Sequence, residues 1–376
     1  MSYFTGGWQY PSGSSKRGEG GTTPTAAYHL SVTSLSAQIR DRAAGFHRSY
    51  WLPTTASMRG WAVASIVVNA GITVTGAGVR VSKSGLGCPT WPKCTPDSFV
   101  PAQHAAHSPL NMAIEFGNRL LTFLVLAVGV ACVLAAVRLV REDPEGRGRR
   151  VLVRLAWLQP IGVVAQGLWG GLVVRTMLHP VTVSVHFLLS VAMTAAAYAL
   201  FARAGEGDGP ARPVVHRHIR TLGLVLLGAV AVLLVAGVVV TGTGPHSGDE
   251  AASRFGFDIE TVARLHADVV WIVVGLTFAL VFALHLTDAP TRVRRAAIAL
   301  FGIELAQGVI GYVQYFLAIP AVLVLLHVLG STLVWIGTLR VVFLMRTRDP
   351  LPADGPAGEE AGERALAPAT PGETPA

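Results

Sequence analysis

Long apolar runs alternate with short polar connections between residues 58 and 345 of the chain. Each run is close to the roughly 20 residues that an α-helix needs to cross the hydrocarbon core of a bilayer. The runs cover residues 58–79, 111–139, 151–175, 180–203, 219–241, 259–285, 294–316 and 320–345. This pattern predicts eight transmembrane helices and an all-α membrane protein.

Both ends of the chain lack such runs. Residues 1–57 are rich in Gly, Ser, Thr and Arg, and residues 349–376 are rich in Pro, Ala, Gly and Glu. Segments of low hydrophobicity bury too little apolar surface to offset the entropy lost on ordering. We expect both ends to be disordered tails.

The composition agrees with a membrane protein. Of the 376 residues, 51% are hydrophobic and only 14% are charged, whereas a soluble domain carries about 25% charged residues. The net charge is +8, but in a membrane protein such a surplus belongs in cytoplasmic loops. We therefore expect contact with membrane lipid and no nucleic-acid partner.

Arginines also predict the orientation of the helices. They cluster before the first predicted helix and after the second, fourth, sixth and eighth, for example within 147–150 and 292–295. Loops rich in Lys and Arg stay in the cytoplasm. We expect a multi-pass protein of the cell membrane with both termini cytoplasmic.

A repeated pair of motifs indicates an internal duplication. The interval from Gln166 to His186 is the same as the interval from Gln307 to His327. The Gly-rich ends of the first and fifth predicted helices, 70–78 and 236–244, also match each other. Two pseudo-symmetric four-helix bundles, residues 58–204 and 205–348, would explain the repeat.

The two pairs of repeated motifs are separated by different intervals, which indicates that one half of the chain carries an insertion. The interval between the two histidines of the repeat is shorter than the interval between the two helix-end motifs. The first half therefore carries about 25 extra residues, and most of them belong in an external loop that contains Cys88 and Cys94. A disulfide is allowed on that oxidising side. It would be either a loop staple or an exchangeable pair.

Histidines inside apolar runs are the main candidates for chemistry. His186, His266 and His327 each lie six or seven residues into a run, roughly 10 Å below the outer surface at 1.5 Å per residue. Because His266 and His327 fall on two helices of one half at equal depth, they predict a bis-imidazole site for haem iron. A simple interhelical hydrogen-bonding role remains the alternative.

In the first half, the position that matches His266 should lie on the second helix. Glu115, Asn118 and Arg119 occur there, spaced i, i+3 and i, i+4, so they share a helix face. One interpretation is an interfacial ion pair between Glu115 and Arg119. The other is a carboxylate directed into the bundle at the depth of the iron, since an intramembrane carboxylate is a candidate for a functional site.

Taken together, these residues resemble the haem A synthases of the Cox15/CtaA family. The resemblance rests on the Gly-rich end of the first helix, the Cys88–Cys94 loop, the segment 114–119 and the paired Gln-Gly and His motifs, and it covers residues 58–345. It implies a b-type haem on His266 and His327 in the second half. It also implies a reaction site for haem O in the first half, with His186 on the iron and Glu115 as the catalytic carboxylate. Neighbours of the haem sites would be Asn118, Arg119, Gln166 and Gln307.

The activity implied by the resemblance is oxidation of a ring methyl of haem O to a formyl group, which gives haem A for cytochrome oxidase. Haem O synthase and cytochrome oxidase assembly factors are then candidate partners. One position departs from the family, since Asn118 stands where a second histidine is common, so the sixth ligand of that iron is open. The alternative is a non-catalytic membrane cytochrome b that relays electrons, which would need ligand pairs in both halves and no lone carboxylate.

Overall fold

Eight helices dominate the computed structural model, which describes residues 52–102, 108–142 and 149–348. All eight are long and apolar enough to cross a membrane, so the predicted all-α membrane architecture is confirmed. They are α1 (Thr55–Val81), α2 (Pro109–Arg141), α3 (Arg150–Arg175), α4 (Pro180–Ala204), α5 (Arg217–Thr243), α6 (Ile259–Leu286), α7 (Thr291–Phe316) and α8 (Ala321–Leu344). The predicted disordered tails lie, except for residues 52–57, outside the described residues.

Polar caps set several helix starts. The Thr54 hydroxyl accepts a hydrogen bond from the Ser57 amide at 3.1 Å, so α1 begins at Thr55, three residues before the predicted start of the first helix. At α6, the Asp258 carboxylate accepts the Thr261 amide at 2.8 Å. Hydrogen bonds from the Thr261 amide and hydroxyl lower the pKa of Asp258 below its ordinary value.

The helices pack as two sets of four. In the first set, α1 and α3 each contact α2 and α4, and in the second set, α5 and α7 each contact α6 and α8. The sets meet through α1, α4, α5 and α8, and the Trp335 indole of α8 donates to the Val191 carbonyl of α4 at 3.0 Å. The pseudo-symmetry between the two sets, and the domain limits drawn from it, stay predictions.

The connections α1–α2, α3–α4, α5–α6 and α7–α8 meet at one end of the molecule, here called the loop end. Arg80 of α1 donates to the carbonyls of Thr241 and His246, and the Gly85 amide donates to the Gly248 carbonyl at 2.8 Å. The first set is therefore fastened to the α5–α6 connection of the second set.

Two further contacts complete the loop end. The His246 ring nitrogen Nε2 lies 2.9 Å from the Ile319 carbonyl in the α7–α8 connection. The Lys83 ammonium lies 2.8 Å from Glu250, and the hydrogen bond it donates, together with its charge, lowers the pKa of that carboxyl below its ordinary value.

The opposite end, here called the arginine end, is organised around Glu206. Its carboxylate accepts from Arg203 at 2.8 Å and from Arg346 and Arg348 at 3.1 Å each. Beside it, β1 (Arg212–Pro213) pairs antiparallel with β2 (Arg346–Thr347). Neither the cluster of arginines around Glu206 nor these two short strands was predicted from the sequence.

Candidate functional site

The second set brings two of the predicted histidines together. The rings of His266 on α6 and His327 on α8 have centroids 6.4 Å apart and planes at 64°. Each ring lies against a glycine of the neighbouring helix. A β-carbon at Gly237 would lie 3.5 Å from Cε1 of His266, and one at Gly311 would lie 3.4 Å from Cε1 of His327. These glycines let the rings pack close to the backbones of α5 and α7.

The distance between the rings fits two axial ligands of one metal. A metal–imidazole bond is about 2.0 Å long and the ring centre lies about 1.2 Å behind the bound nitrogen, so two imidazoles across one metal have centres about 6.4 Å apart. The observed separation of His266 and His327 is 6.4 Å. Porphyrin iron takes only axial ligands from a protein, so the pair fits haem.

Other metal centres find less support in the structure. Within the described residues, no group of three or more His, Cys, Asp or Glu side chains is placed to hold a metal ion. A structural zinc site needs four protein ligands. The histidine pair is therefore better suited to a metal that brings its own equatorial ligands.

The first set contains one histidine where the second contains two. The half-buried His186 of α4 packs against α3, where a β-carbon at Gly170 would lie 3.6 Å from its Cε1. On α2, the Asn118 amide oxygen accepts the Thr75 hydroxyl of α1 at 2.8 Å. Asn118 thus contacts the helix-end motif of α1, which contains Gly71 and Thr75. In the second set, His266 packs beside Gly237 of the corresponding motif in α5.

Both sets contain open backbone. A β-carbon would meet no atom within 4 Å at Gly71, Gly117 or Gly167 in the first set, nor at Gly275, Gly302 or Gly308 in the second. Gly167 and Gly308 each follow the glutamine of the repeat, so the open glycines do not distinguish the two sets.

Glu115 and Arg119 are bound to each other and to the cysteine loop. The Arg119 guanidinium donates to Oε1 of Glu115 at 2.6 Å and 3.2 Å, and the Cys88 amide donates to Oε2 at 2.6 Å. Arg119 also donates to the carbonyls of Cys88, Thr90 and Lys93 at 2.7, 3.0 and 3.3 Å. The predicted ion pair is present, but it is buried rather than interfacial, since Glu115 is only 6% exposed.

The cysteine loop is fixed against α2 and α3. Cys88 and Cys94 are joined by a disulfide, as predicted, and both are fully buried against Met112 and Phe116. A β-carbon at Gly171 of α3 would lie 2.5 Å from the Trp91 ring, so the indole occupies the space that this glycine leaves. The loop therefore covers the loop end of the first set.

Both glutamines of the repeat contact their histidines. Nε2 of Gln166 donates to the His186 carbonyl at 3.3 Å and to the Ser190 hydroxyl at 2.7 Å. Nε2 of Gln307 donates to the His327 carbonyl at 2.7 Å and lies 3.3 Å from Nδ1 of that ring. Each glutamine ties its own helix to the next one at the level of the histidine.

The sequence analysis missed several polar partners. Thr75 had a signal, since it belongs to the repeated helix-end motif. The buried pair of Glu304 and Thr277, joined at 2.9 Å between α7 and α6, had none, because a carboxylate in an apolar run does not reveal which neighbouring helix supplies its partner.

Comparison with known proteins agrees with this arrangement. A family model described as COX15-CtaA, cytochrome oxidase assembly protein, matches residues 59–246, half of the chain. The chain belongs to the Cox15/CtaA family. Eight apolar helices and membership of this family make it a multi-pass membrane protein. The Cox15/CtaA match includes Glu115, Asn118 and His186, whereas His266 and His327 lie beyond it.

Two curated members of the family are similar over part of their length. The chain is 27% identical over 147 residues to the heme A synthase of Geobacillus kaustophilus, which covers 39% of this chain and 42% of that protein. It is 28% identical over 109 residues to the heme A synthase of Geobacillus thermodenitrificans, covering 29% and 30%. The alignments therefore span less than half of either relative.

Proposed function

We propose that this protein is a haem A synthase, which oxidises a ring methyl of haem O to a formyl group and gives haem A for cytochrome oxidase. The observation that carries the proposal is the difference between the two sets. The ring centres of His266 and His327 lie 6.4 Å apart in the second, whereas the first offers His186 on α4 and, on α2, Asn118 held by Thr75. A closed pair suits a resident cofactor and an open site suits a substrate.

In the second set, His266 and His327 would hold a b-type haem, which supplies one-electron transfer when bound. With both histidines committed to this group, neither would be available to a substrate. The rings pack beside Gly237 and Gly311 on neighbouring helices. The residues of the second set would position the haem and exclude water from it.

In the first set, His186 would bind the iron of haem O as substrate. The carboxamide of Asn118 is a weak metal ligand, so His186 would be the principal ligand that these residues supply. We assign conversion of haem O to this set.

The reaction would pass through hydroxylation of the methyl group, a second hydroxylation and loss of water to the aldehyde. Each hydroxylation removes two electrons from the carbon, and both the oxidant and the oxygen atom come from outside the described residues. We assign Glu115 the role of the catalytic carboxylate, because a fixed negative charge in a site of low dielectric stabilises positive charge that develops at the oxidised carbon. Arg119 holds that carboxylate in place and offsets part of its charge. The same pair anchors the cysteine loop, so loop position and carboxylate position would change together.

The arginines that predict the orientation of the helices also indicate on which side of the membrane the reaction would take place. Arg203, Arg346 and Arg348 gather at the arginine end, which we place in the cytoplasm of a cell-membrane protein. Both haem sites would then lie towards the outer leaflet. A haem O synthase would supply the substrate through the lipid, and cytochrome oxidase assembly factors would receive the product.

Haem extraction from the purified protein tests the proposal. After expression with a supply of haem O, chromatography and mass analysis of the bound porphyrins should show haem B together with haem A or the hydroxylated intermediate. His186→Ala should retain haem B and lose the oxidised products. A protein that binds haem B alone and never alters supplied haem O would instead be a membrane cytochrome b.

A further inference from the structure

The two glutamines of the repeat leave the same atoms unsatisfied in both sets. Oε1 of Gln166 and Oε1 of Gln307 are enclosed and have no hydrogen-bond partner among the described residues. Nδ1 of His186 is also enclosed and unpartnered. A buried polar atom without a partner destabilises the folded state. In the first set, Oε1 of Gln166 on α3 is therefore an acceptor without a donor, and Nδ1 of His186 on the adjacent α4 is a ring nitrogen without a partner.

The other ring nitrogen is in a different situation. Nε2 of His186 and Nε2 of His327 make no hydrogen bond within the described part of the chain, and neither atom is among its enclosed, unpartnered atoms. Nε2 is therefore the nitrogen that is open to a metal. A neutral imidazole that binds metal through Nε2 carries its proton on Nδ1, and that proton needs an acceptor.

We infer that Gln166 and Gln307 are positioning residues, which accept the Nδ1 proton of His186 and His327 through Oε1 when iron is bound to Nε2. The inference rests on the proposed haem sites and deepens them. It gives the same task to the same residue type, at the same interval before each histidine, in both sets. It also gives Oε1 of both glutamines and Nδ1 of His186 the partners that they otherwise lack.

Gln307 shows what metal binding would change. Its amide nitrogen, a donor, lies 3.3 Å from Nδ1 of His327, which suits a ring whose proton is on Nε2. Iron on Nε2 moves the proton to Nδ1, and two donors would then face each other. The last torsion of a glutamine side chain is broad, so the carboxamide turns to bring Oε1 towards Nδ1–H, and Nε2 gives up its hydrogen bond to the His327 carbonyl.

Gly330 of α8 provides the room for this side chain. A β-carbon at Gly330 would lie 2.1 Å from Oε1 of Gln307, so the carboxamide occupies the notch that the glycine leaves. Gly330→Ala would displace the carboxamide without deleting it. This variant therefore perturbs the same hydrogen bond from the opposite helix.

The test uses the purified full-length holoprotein and measures the midpoint potential, the electron paramagnetic resonance spectrum and the retention of the second-set haem. Gln307→Leu removes the acceptor, weakens the imidazole as a donor to ferric iron and should raise the potential, with roughly 10- to 100-fold weaker haem retention. Gln307→Glu offers a charged acceptor and should lower the potential. Gly330→Ala should follow the leucine variant.

Gln159→Leu is the matched control, since Gln159 is a buried glutamine of α3 that accepts the Ser65 hydroxyl at 2.9 Å and touches no histidine. It should leave the haem spectrum and potential as in the parent. Opposite shifts for leucine and glutamate cannot come from general damage, and they would support the inference. If the parent holds a low-spin haem and converts haem O, equal shifts or no shifts in the leucine and glutamate variants would overturn this inference and leave the proposed function standing. A parent without that haem would overturn the proposed function as well.

Discussion

Glu115→Gln should loosen the cysteine loop, and the contacts of Glu115 set the size of the effect. The carboxylate accepts the Cys88 amide through one oxygen and the Arg119 guanidinium through the other. A neutral amide has one acceptor atom, so one of these donors must face an NH₂ group. Breaking a buried ion pair costs about 3–5 kcal/mol. The lower end applies, because Arg119 is 23% exposed and keeps three carbonyl acceptors.

A loss of about 3 kcal/mol corresponds to roughly a 100-fold increase in the open population of the loop. Hydrogen exchange followed by mass spectrometry, in lipid and with the disulfide reduced only after quenching, should show the Cys88 amide exchanging faster by that factor. Glu260→Gln is the control, since its i, i+4 partner Arg264 is 78% exposed. It should change exchange by less than about fivefold. Unchanged protection of Cys88 in the Glu115 variant would refute the anchoring role.

Arg119→Met separates anchoring from catalysis. It should loosen the same loop and keep the Glu115 side chain, so both variants open the loop but only one removes the carboxyl group. A much larger loss of haem A in Glu115→Gln than in Arg119→Met would support the catalytic assignment. Equal losses at equal loop protection would limit Glu115 to the anchor.

Three further outcomes follow from the sites. His266→Ala and His327→Ala should each remove one low-spin haem from the absorption spectrum while the protein stays inserted, and an unchanged low-spin signal in both would contradict the ligand pair. Asn118→His should convert the first-set haem to a low-spin form and reduce product, and an unchanged spectrum would place Asn118 away from the iron. Protein isolated without reductant should carry Cys88 and Cys94 as a pair that resists alkylation, and two freely alkylated thiols would argue against the disulfide or against its placement outside.

Apolar periodicity was enough to predict the helices because a spanning helix satisfies its own backbone and needs only length and hydrophobicity. The start of α1 moved from residue 58 to Thr55 since a single threonine cap decides that boundary. The equal depth of His266 and His327 was readable from the sequence because helical rise is constant. Their rings lie next to each other in the structure, while their depth in the membrane stays a prediction.

The polar partners of the site were less accessible to sequence reasoning. The i, i+4 spacing predicted the pair of Glu115 and Arg119, but the Cys88 amide that completes it lies 27 residues away in a loop without periodicity. Arg80 binds carbonyls of α5 and of the following loop, and no motif in the sequence pointed to these acceptors. Such contacts depend on how loops fold over helix ends, which hydropathy does not encode.

The reach of Arg80 has a consequence for how the protein is made. Its acceptors, the carbonyls of Thr241 and His246, lie 161 and 166 residues further along the chain. At ribosomal rates of about 5–20 residues per second, they follow α1 by roughly 10 to 30 s. Cys88 and Cys94, six residues apart, can pair within that interval. A nascent chain that stopped after α4 would therefore carry an oxidised loop and an arginine without its acceptors, and the outward face of the first four helices would be completed only when the fifth arrived.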